Sequence, residues 1–126
     1  MSESELQANC RVRASELGGA LWRNNQGECV DRTGRHIRYG LGNTSKRLSK
    51  VWTSVDLIGM TPEGRFLAGE VKPPGWRWRG TEREMAQAAF MRCVTGLGGL
   101  AGFVTSLDEL DRMLRAGVSD PRIGLG

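Results

Sequence analysis

The stretch SVDLIGMTPEGRFLAGEVK, residues 54–72, decides the fold. It reads as one β-hairpin. Pro62 fits the first central position of a type I turn, because its ring presets φ near −65°. Gly64 fits the left-handed position of a three-residue loop closed by a bulge. Thr61 then faces Arg65, and counting back sets Asp56 opposite Glu70. Opposed residues in an antiparallel pair have Cβ atoms roughly 4.5–5.5 Å apart. A two-residue loop would slip the register by one and pair Val55 with Glu70. Alternation puts Glu70 and Lys72 on one face, with Asp56, Ile58 and Met60. Val55, Leu57 and Gly59 fall on the other, as do Leu67, Gly69 and Val71. Apolar residues in succession around Asp56 suit a strand covered on both faces. Pro73-Pro74 ends the second strand, since neither residue donates to a ladder.

Two carboxylates and a lysine gathered on one sheet face suit a divalent metal and a phosphate. A hard cation such as Mg²⁺ takes oxygen ligands, commonly one or two carboxylates plus phosphate. It polarises a phosphoryl oxygen and lowers the pKa of a bound water. A lysine adds positive charge without entering the coordination sphere. The set points to metal-dependent phosphodiester hydrolysis. The alternative is an ordinary hairpin with a cross-strand surface ion pair.

Outward from the hairpin, the 126 residues make one domain, with residues 117–126 expected as a loosely held tail. The net charge of +4 is unevenly spread. Arg32, Arg35, Arg38, Lys46, Arg47 and Lys50 occur without an intervening acid, and the chain after Arg79 is slightly acidic. Such a basic segment suits a polyanionic partner. Cys10, Cys29 and Cys93 lack the spacing of zinc ligands and are expected as free, buried thiols of a cytoplasmic protein. No stretch is long and apolar enough for a membrane span or a signal peptide.

Residues 3–17 carry a helical pattern with Leu6, Cys10 and Leu17 on one face, stopped by Gly18-Gly19. Short strands are expected at 21–23, 28–31 and 35–39, with turn chemistry at 24–27. Thr81 and Glu84 form a capping box for a helix over 81–95, with Met85, Ala89 and the Phe90–Val94 region facing inward. Residues 100–105 read as an apolar strand. Ser106 and Glu109 form a second box for a helix from 107 to about 115. The order α-β-β-β-α-β-α implies an α/β fold, a mixed central sheet flanked by helices.

Two features have competing readings. Trp76-Arg77-Trp78-Arg79 reads as a mobile loop that stacks on exposed bases while Arg77 and Arg79 contact phosphate; the other reading has one tryptophan anchoring the loop and the other at a dimer contact. His36, the one histidine, reads as a surface residue rather than a base.

With these residues in view, the chain resembles the VRR-NUC group of the PD-(D/E)xK nuclease superfamily, in its small stand-alone form from phages and bacteria. The resemblance spans roughly residues 3–110. It rests on E-x-x-L-Q at Glu3–Gln7, R-N-N-x-G at Arg23–Gly27 and R-Y-G-L at Arg38–Leu41. It continues through S-x-D-L-I-G at Ser54–Gly59, E-V-K at Glu70–Lys72, Gln87, and G-G-L-A-G-F-V-T-S at Gly98–Ser106. Ser54-Val55 stands where the superfamily's name has proline before aspartate.

The resemblance implies a restriction-endonuclease-like core over residues 1–116. It implies Mg²⁺ or Mn²⁺ held by Asp56, Glu70 and the carbonyl of Val71, with Glu3 (or Glu5) as a further acidic ligand. Lys72 would be the catalytic lysine, and Gln87 would orient it or a water. The implied substrate is branched DNA, a four-way Holliday junction above all, cut by a homodimer. Arg23 and Asn25 would contact it, and by their charge and residue type Arg35, Arg38, Lys46 and Arg47 of the basic run and the Trp76–Arg79 loop are expected to do so too. Cutting at linear or nicked ends, and binding without catalysis, are the alternatives.

Overall fold

The computed structural model describes residues 1–125, and of residues 48–50 the backbone alone. The Lys50 side chain, which closes the basic run, and Gly126 lie outside the described residues.

Helix α1 (Glu3–Glu16) starts at Ser2, whose hydroxyl accepts from the Glu5 N–H. It is followed by β1 (Ala20–Arg23), a ribbon of β2 (Gly27–Val30) and β3 (His36–Tyr39), and a short α2 (Lys46–Val51) that the sequence pattern does not announce. Strands β4 (Leu57–Met60) and β5 (Phe66–Val71) form the hairpin. Helix α3 (Glu82–Gly96), β6 (Leu100–Val104), α4 (Leu107–Ala116) and a 3-10 turn (Pro121–Leu125) complete the described chain.

The expected hairpin register is the observed one. Leu57 pairs with Gly69 and Met60 with Phe66. The Thr61 N–H donates to the Arg65 carbonyl, and Gly64 takes φ +86° in the loop. The sheet is mixed, with order β1-β4-β5-β6: β5 and β6 run parallel and the other pairs antiparallel. The ribbon β2–β3 is a separate two-stranded sheet. Three layers result. Leu6, Cys10 and Ala14 of α1 pack with Leu110 and Met113 of α4 on Leu57, Leu67, Val71 and Val104. On the opposite face, Ala88, Phe90 and Met91 of α3 pack on Ala68, Ala101 and Phe103.

Several expectations are corrected. Val55 packs in the α3 layer, not on the Leu57 face. Asp56 sits at a bend just before β4, outside the alternation that holds within the strand. Met85, Arg92 and Cys93 are exposed; the buried residues of α3 are Glu84, Ala86, Gln87, Ala88, Phe90 and Met91. At α4 only half of the second box forms. Ser106 accepts from the Glu109 N–H, but the Glu109 carboxylate takes the Thr105 N–H and hydroxyl instead. Cys29 and Cys93 are exposed, and only Cys10 is buried.

Residues 117–125 are not loosely held. The Asp120 N–H donates to Ala101 O, the Phe103 N–H donates to the Asp120 carboxylate, and Ile123 is buried in the α3 layer. Arg122 bonds to Asp120, to the Phe103 carbonyl and to Glu109. No described helix is long and apolar enough to cross a membrane.

A candidate catalytic site of two carboxylates and a lysine

The Asp56 backbone N–H donates to Glu70 Oε1 at 3.1 Å, and the Val71 N–H donates to Asp56 Oδ1 at 3.1 Å. Each side chain thereby fixes the other strand's backbone, one step beyond the last regular β4–β5 pair. The sequence places the two carboxylates together correctly but not on one face. Asp56 turns toward α1, where Gln7 Nε2 donates to its Oδ2 at 3.3 Å. Glu70 turns toward Lys72 and toward Arg83 of α3, whose charges both act on it.

The segment that presents Asp56 is stitched from behind. Asn24 is buried; its amide donates to Ser54 Oγ and Val55 O, and its carbonyl oxygen accepts from the Leu41 N–H. Gln26 donates to Ser54 O and accepts from the Ser54 hydroxyl. Within R-N-N-x-G, Asn24 and Gln26 therefore shape the site's frame, whereas Arg23 and Asn25 are exposed.

Burial dominates the electrostatics. It raises the Asp56 carboxyl to about 6, against the Val71 and Gln7 donors that stabilise the ionised form, with the charge of Glu3 pushing the same way as burial. It raises the Glu70 carboxyl to about 7, with Asp56 adding to it and Lys72 and Arg83 opposing. Two adjacent carboxylates under-compensated by cations are a site short of positive charge. Glu3 acts on Asp56, while Glu5 is occupied by the Ser2 hydroxyl, so the structure favours Glu3 as the neighbouring acid.

The Lys72 Nζ lies 3.9 Å from Glu70 Oε2, with its side chain 15% exposed. It sits over two rings, 5.7 Å from the centroid of Trp76 and 5.9 Å from that of Phe103. Trp76 is itself fixed: its indole N–H donates to Glu84 at 3.0 Å, and Arg122 lies over the ring at 5.6 Å. Glu84, buried, also accepts from the N–H groups of Arg79 and Thr81. Burial pushes its carboxyl up, but these donors outweigh it and the net shift is down.

The Trp-Arg loop is thus corrected from a mobile stacking platform to an anchored one. Trp76 and Trp78 both pack on Phe103, at centroid distances of 4.9 and 5.9 Å. Arg77 and Arg79 are its exposed members.

Gln87 is fully buried on α3, one turn along from Arg83. Both its amide atoms lack a hydrogen-bond partner, so no bond joins it to Lys72 or to either carboxylate. A buried amide without partners is costly. Of the basic run, Arg35, Lys46 and Arg47 are exposed, while Arg38 is engaged with Glu28 and Asn43.

Asp56 and Glu70 fit a hard divalent ion in donor type and charge. Among the described residues, however, no group of three or more His, Cys, Asp or Glu side chains converges as a ligand set. The ion would depend on two carboxylates, the backbone and its own waters.

Sequence reasoning gave no role at the site to Gln7, Arg83 or Glu84. Gln7 lies four residues after Glu3 and Arg83 four before Gln87, the spacing that shares a helix face; only the three-dimensional packing shows which faces meet the hairpin. The chain matches no protein-family model, no curated protein and no solved structure.

Proposed function

We propose that the chain is a Mg²⁺- or Mn²⁺-dependent DNA endonuclease of VRR-NUC type, acting on branched DNA as a homodimer, with four-way junctions as its preferred substrate. The observation that carries this reading is the reciprocal Asp56–Glu70 lock with Lys72 beside it. A buried carboxylate and a half-buried one beside it, both with raised pKa values, are an expensive way to decorate a hairpin. They make sense when a cation and a phosphate complete them. The mixed sheet covered by helices on both faces supports a restriction-endonuclease-like core.

Asp56, Glu70 and the Val71 carbonyl would hold the ion, which supplies Lewis acidity at a phosphoryl oxygen and a bound water of lowered pKa. Lys72 sets its ammonium, steadied by Trp76 and Phe103, where it stabilises charge building on the phosphate. Gln7 orients Asp56, and Arg83 tempers the Glu70 charge. The buried Gln87 amide orients the attacking water. Outside this pocket the exposed Arg23, Asn25, Arg77 and Arg79 contact the phosphate backbone. One small domain has one such cluster, and paired cuts across a junction need two, which a two-fold dimer supplies.

A binding-only protein is the second reading, and one observation favours it: the absence, among the described residues, of a third acidic side chain converging on the pair. A labelled four-way junction, a nicked duplex and a linear duplex, each with Mg²⁺, Mn²⁺ or EDTA, separate the readings. Symmetric paired nicks confined to the junction support the proposal. Cutting at ends or nicks moves the substrate. Binding without cutting leaves the binding-only protein.

A further inference from the structure

The β2–β3 ribbon pairs with itself and makes no more than marginal contact with the other helices and strands. Nearly all its side chains are exposed, on both faces. A two-stranded hairpin alone is marginal in water, yet this one is built to be stiff. At its root Asn43 donates to the carbonyls of Gly27 and Tyr39 at 2.8 and 2.9 Å. At its tip the Asp31 carboxylate accepts from the Thr33 N–H, the Thr33 hydroxyl and the Arg35 N–H. Both of the ribbon's acids are consumed internally, Asp31 by this turn and Glu28 by Arg38. Its exposed cations, Arg32 and Arg35, form no ion pair among the described residues, nor do Lys46 and Arg47 beside the root. Arg35, His36, Tyr39 and Lys46 line an open cleft of about 660 Å³ that runs along β3 from the tip to the root.

We infer that the ribbon is a docking arm for duplex DNA, inserting into a groove with Arg32 and Arg35 on phosphates and with Lys46 and Arg47 gripping the adjacent backbone from α2. The major groove, about 12 Å wide, admits a two-stranded ribbon. Charge complementarity favours a polyanion, and the two-stranded shape favours the groove of a duplex over a single strand. Tyr39 lies across Gly27, where an added Cβ would meet its hydroxyl at 2.7 Å. The inference deepens the DNA reading above and rests on it for the kind of partner, but it does not require cleavage.

The test is equilibrium binding of fluorescent duplex DNA in EDTA, between about 50 and 200 mM salt. The paired variants Arg32→Ala/Arg35→Ala and Lys46→Ala/Arg47→Ala alter exposed side chains only, and circular dichroism checks that both stay folded. The expected result is weaker binding on every duplex sequence, with the slope of log K against log salt reduced by about 2 for each pair. Single-stranded DNA and heparin should bind less tightly than duplex and lose less in the variants. An unchanged slope in both pairs, or equal losses for heparin and duplex, would overturn the arm. Unchanged duplex binding by the variants alongside normal cleavage sinks the arm alone. Absence of duplex binding by the unaltered protein sinks the DNA reading with it.

Discussion

Glu70 accepts from the backbone N–H of Asp56 at 3.1 Å, while Asp56 accepts from the N–H that follows Glu70 in the chain. Each carboxylate is held by the strand opposite its own. Their spacing is therefore set by the sheet, not by flexible side chains, and it holds two negative charges close together. The consequences below follow from that enforced proximity and from what surrounds it.

The first concerns pH. Burial raises both carboxyls, Asp56 to about 6 and Glu70 to about 7, above their ordinary values of 3.8 and 4.5. The folded state then holds protons that the unfolded chain releases. Their contribution to stability is full below about pH 4 and is lost as pH rises through 6 to 7. Metal-free protein should melt at a lower temperature at pH 8 than at pH 5. Glu70→Gln, which keeps an oxygen to accept the Asp56 N–H, should flatten that dependence and melt higher than the unaltered protein at pH 8. Thermal melts across pH in EDTA check it.

A divalent ion should reverse the loss. Adding Mn²⁺ or Mg²⁺ at pH 8 should raise the melting temperature in proportion to the logarithm of its concentration, by mass action on the folded state. Asp56→Asn should remove most of that increase, and Lys72→Ala should keep it. Calorimetric titration gives the same comparison directly.

Trp76 is structural as well as local to Lys72. Trp76→Ala removes a half-buried indole from Phe103 and leaves the buried Glu84 without one donor, an expected loss of roughly 2–3 kcal/mol. Trp76→Phe should recover most of the packing. The ε-methylene proton resonances of Lys72 should be shifted upfield by the two rings, more weakly in Trp76→Phe and least in Trp76→Ala. Denaturant unfolding and proton NMR measure the two effects.

The chain's close should be indispensable. Arg122→Ala strands Asp120 and Glu109, which are three-quarters buried or more, and should cost roughly 2 kcal/mol, tempered by the partial exposure of the guanidinium. Removing residues 119–126 should cost more, since Ser119, Asp120 and Ile123 all bind the β6 edge or the α3 layer. Urea unfolding of both variants checks the order.

Burial pushes the Cys10 thiol up to about 12, with Asp56 and Asp111 adding to it. Iodoacetamide at pH 8 should label the exposed Cys29 and Cys93 in the native protein and reach Cys10 only after denaturation, as peptide mass spectrometry would show.

The hairpin was legible because Pro62 and Gly64 dictate the loop, and the loop dictates the register. The caps at Thr81 and Ser106 set the helix starts for the same local reason. What the sequence concealed is tertiary. Met85 lies at the helix's apolar run yet outside its buried stripe, because α3 is covered along Glu84, Gln87, Ala88 and Met91. Asp56 turns to α1 because a bend interrupts the alternation, and nothing in Ser54-Val55-Asp56 announces that bend. The C-terminal residues look unstructured by composition; their order comes from Asp120 and Arg122 finding β6 and Glu109, partners distant in the chain. The loop looks mobile by composition until Phe103, far along the sequence, is seen beneath its tryptophans.

The central claim is that Asp56, Glu70 and Lys72 together cut phosphodiester bonds. Its most direct test is single-turnover cleavage of a labelled four-way junction by the unaltered protein, Lys72→Ala and Asp56→Asn, with Mn²⁺ and with EDTA, beside binding measured on the same DNA. The account predicts metal-dependent nicking that Lys72→Ala and Asp56→Asn each reduce by at least about a hundredfold, the scale of losing one charge-stabilising group, with junction binding retained. Equal cutting by Lys72→Ala, or tight binding with no cutting in either condition, would contradict it.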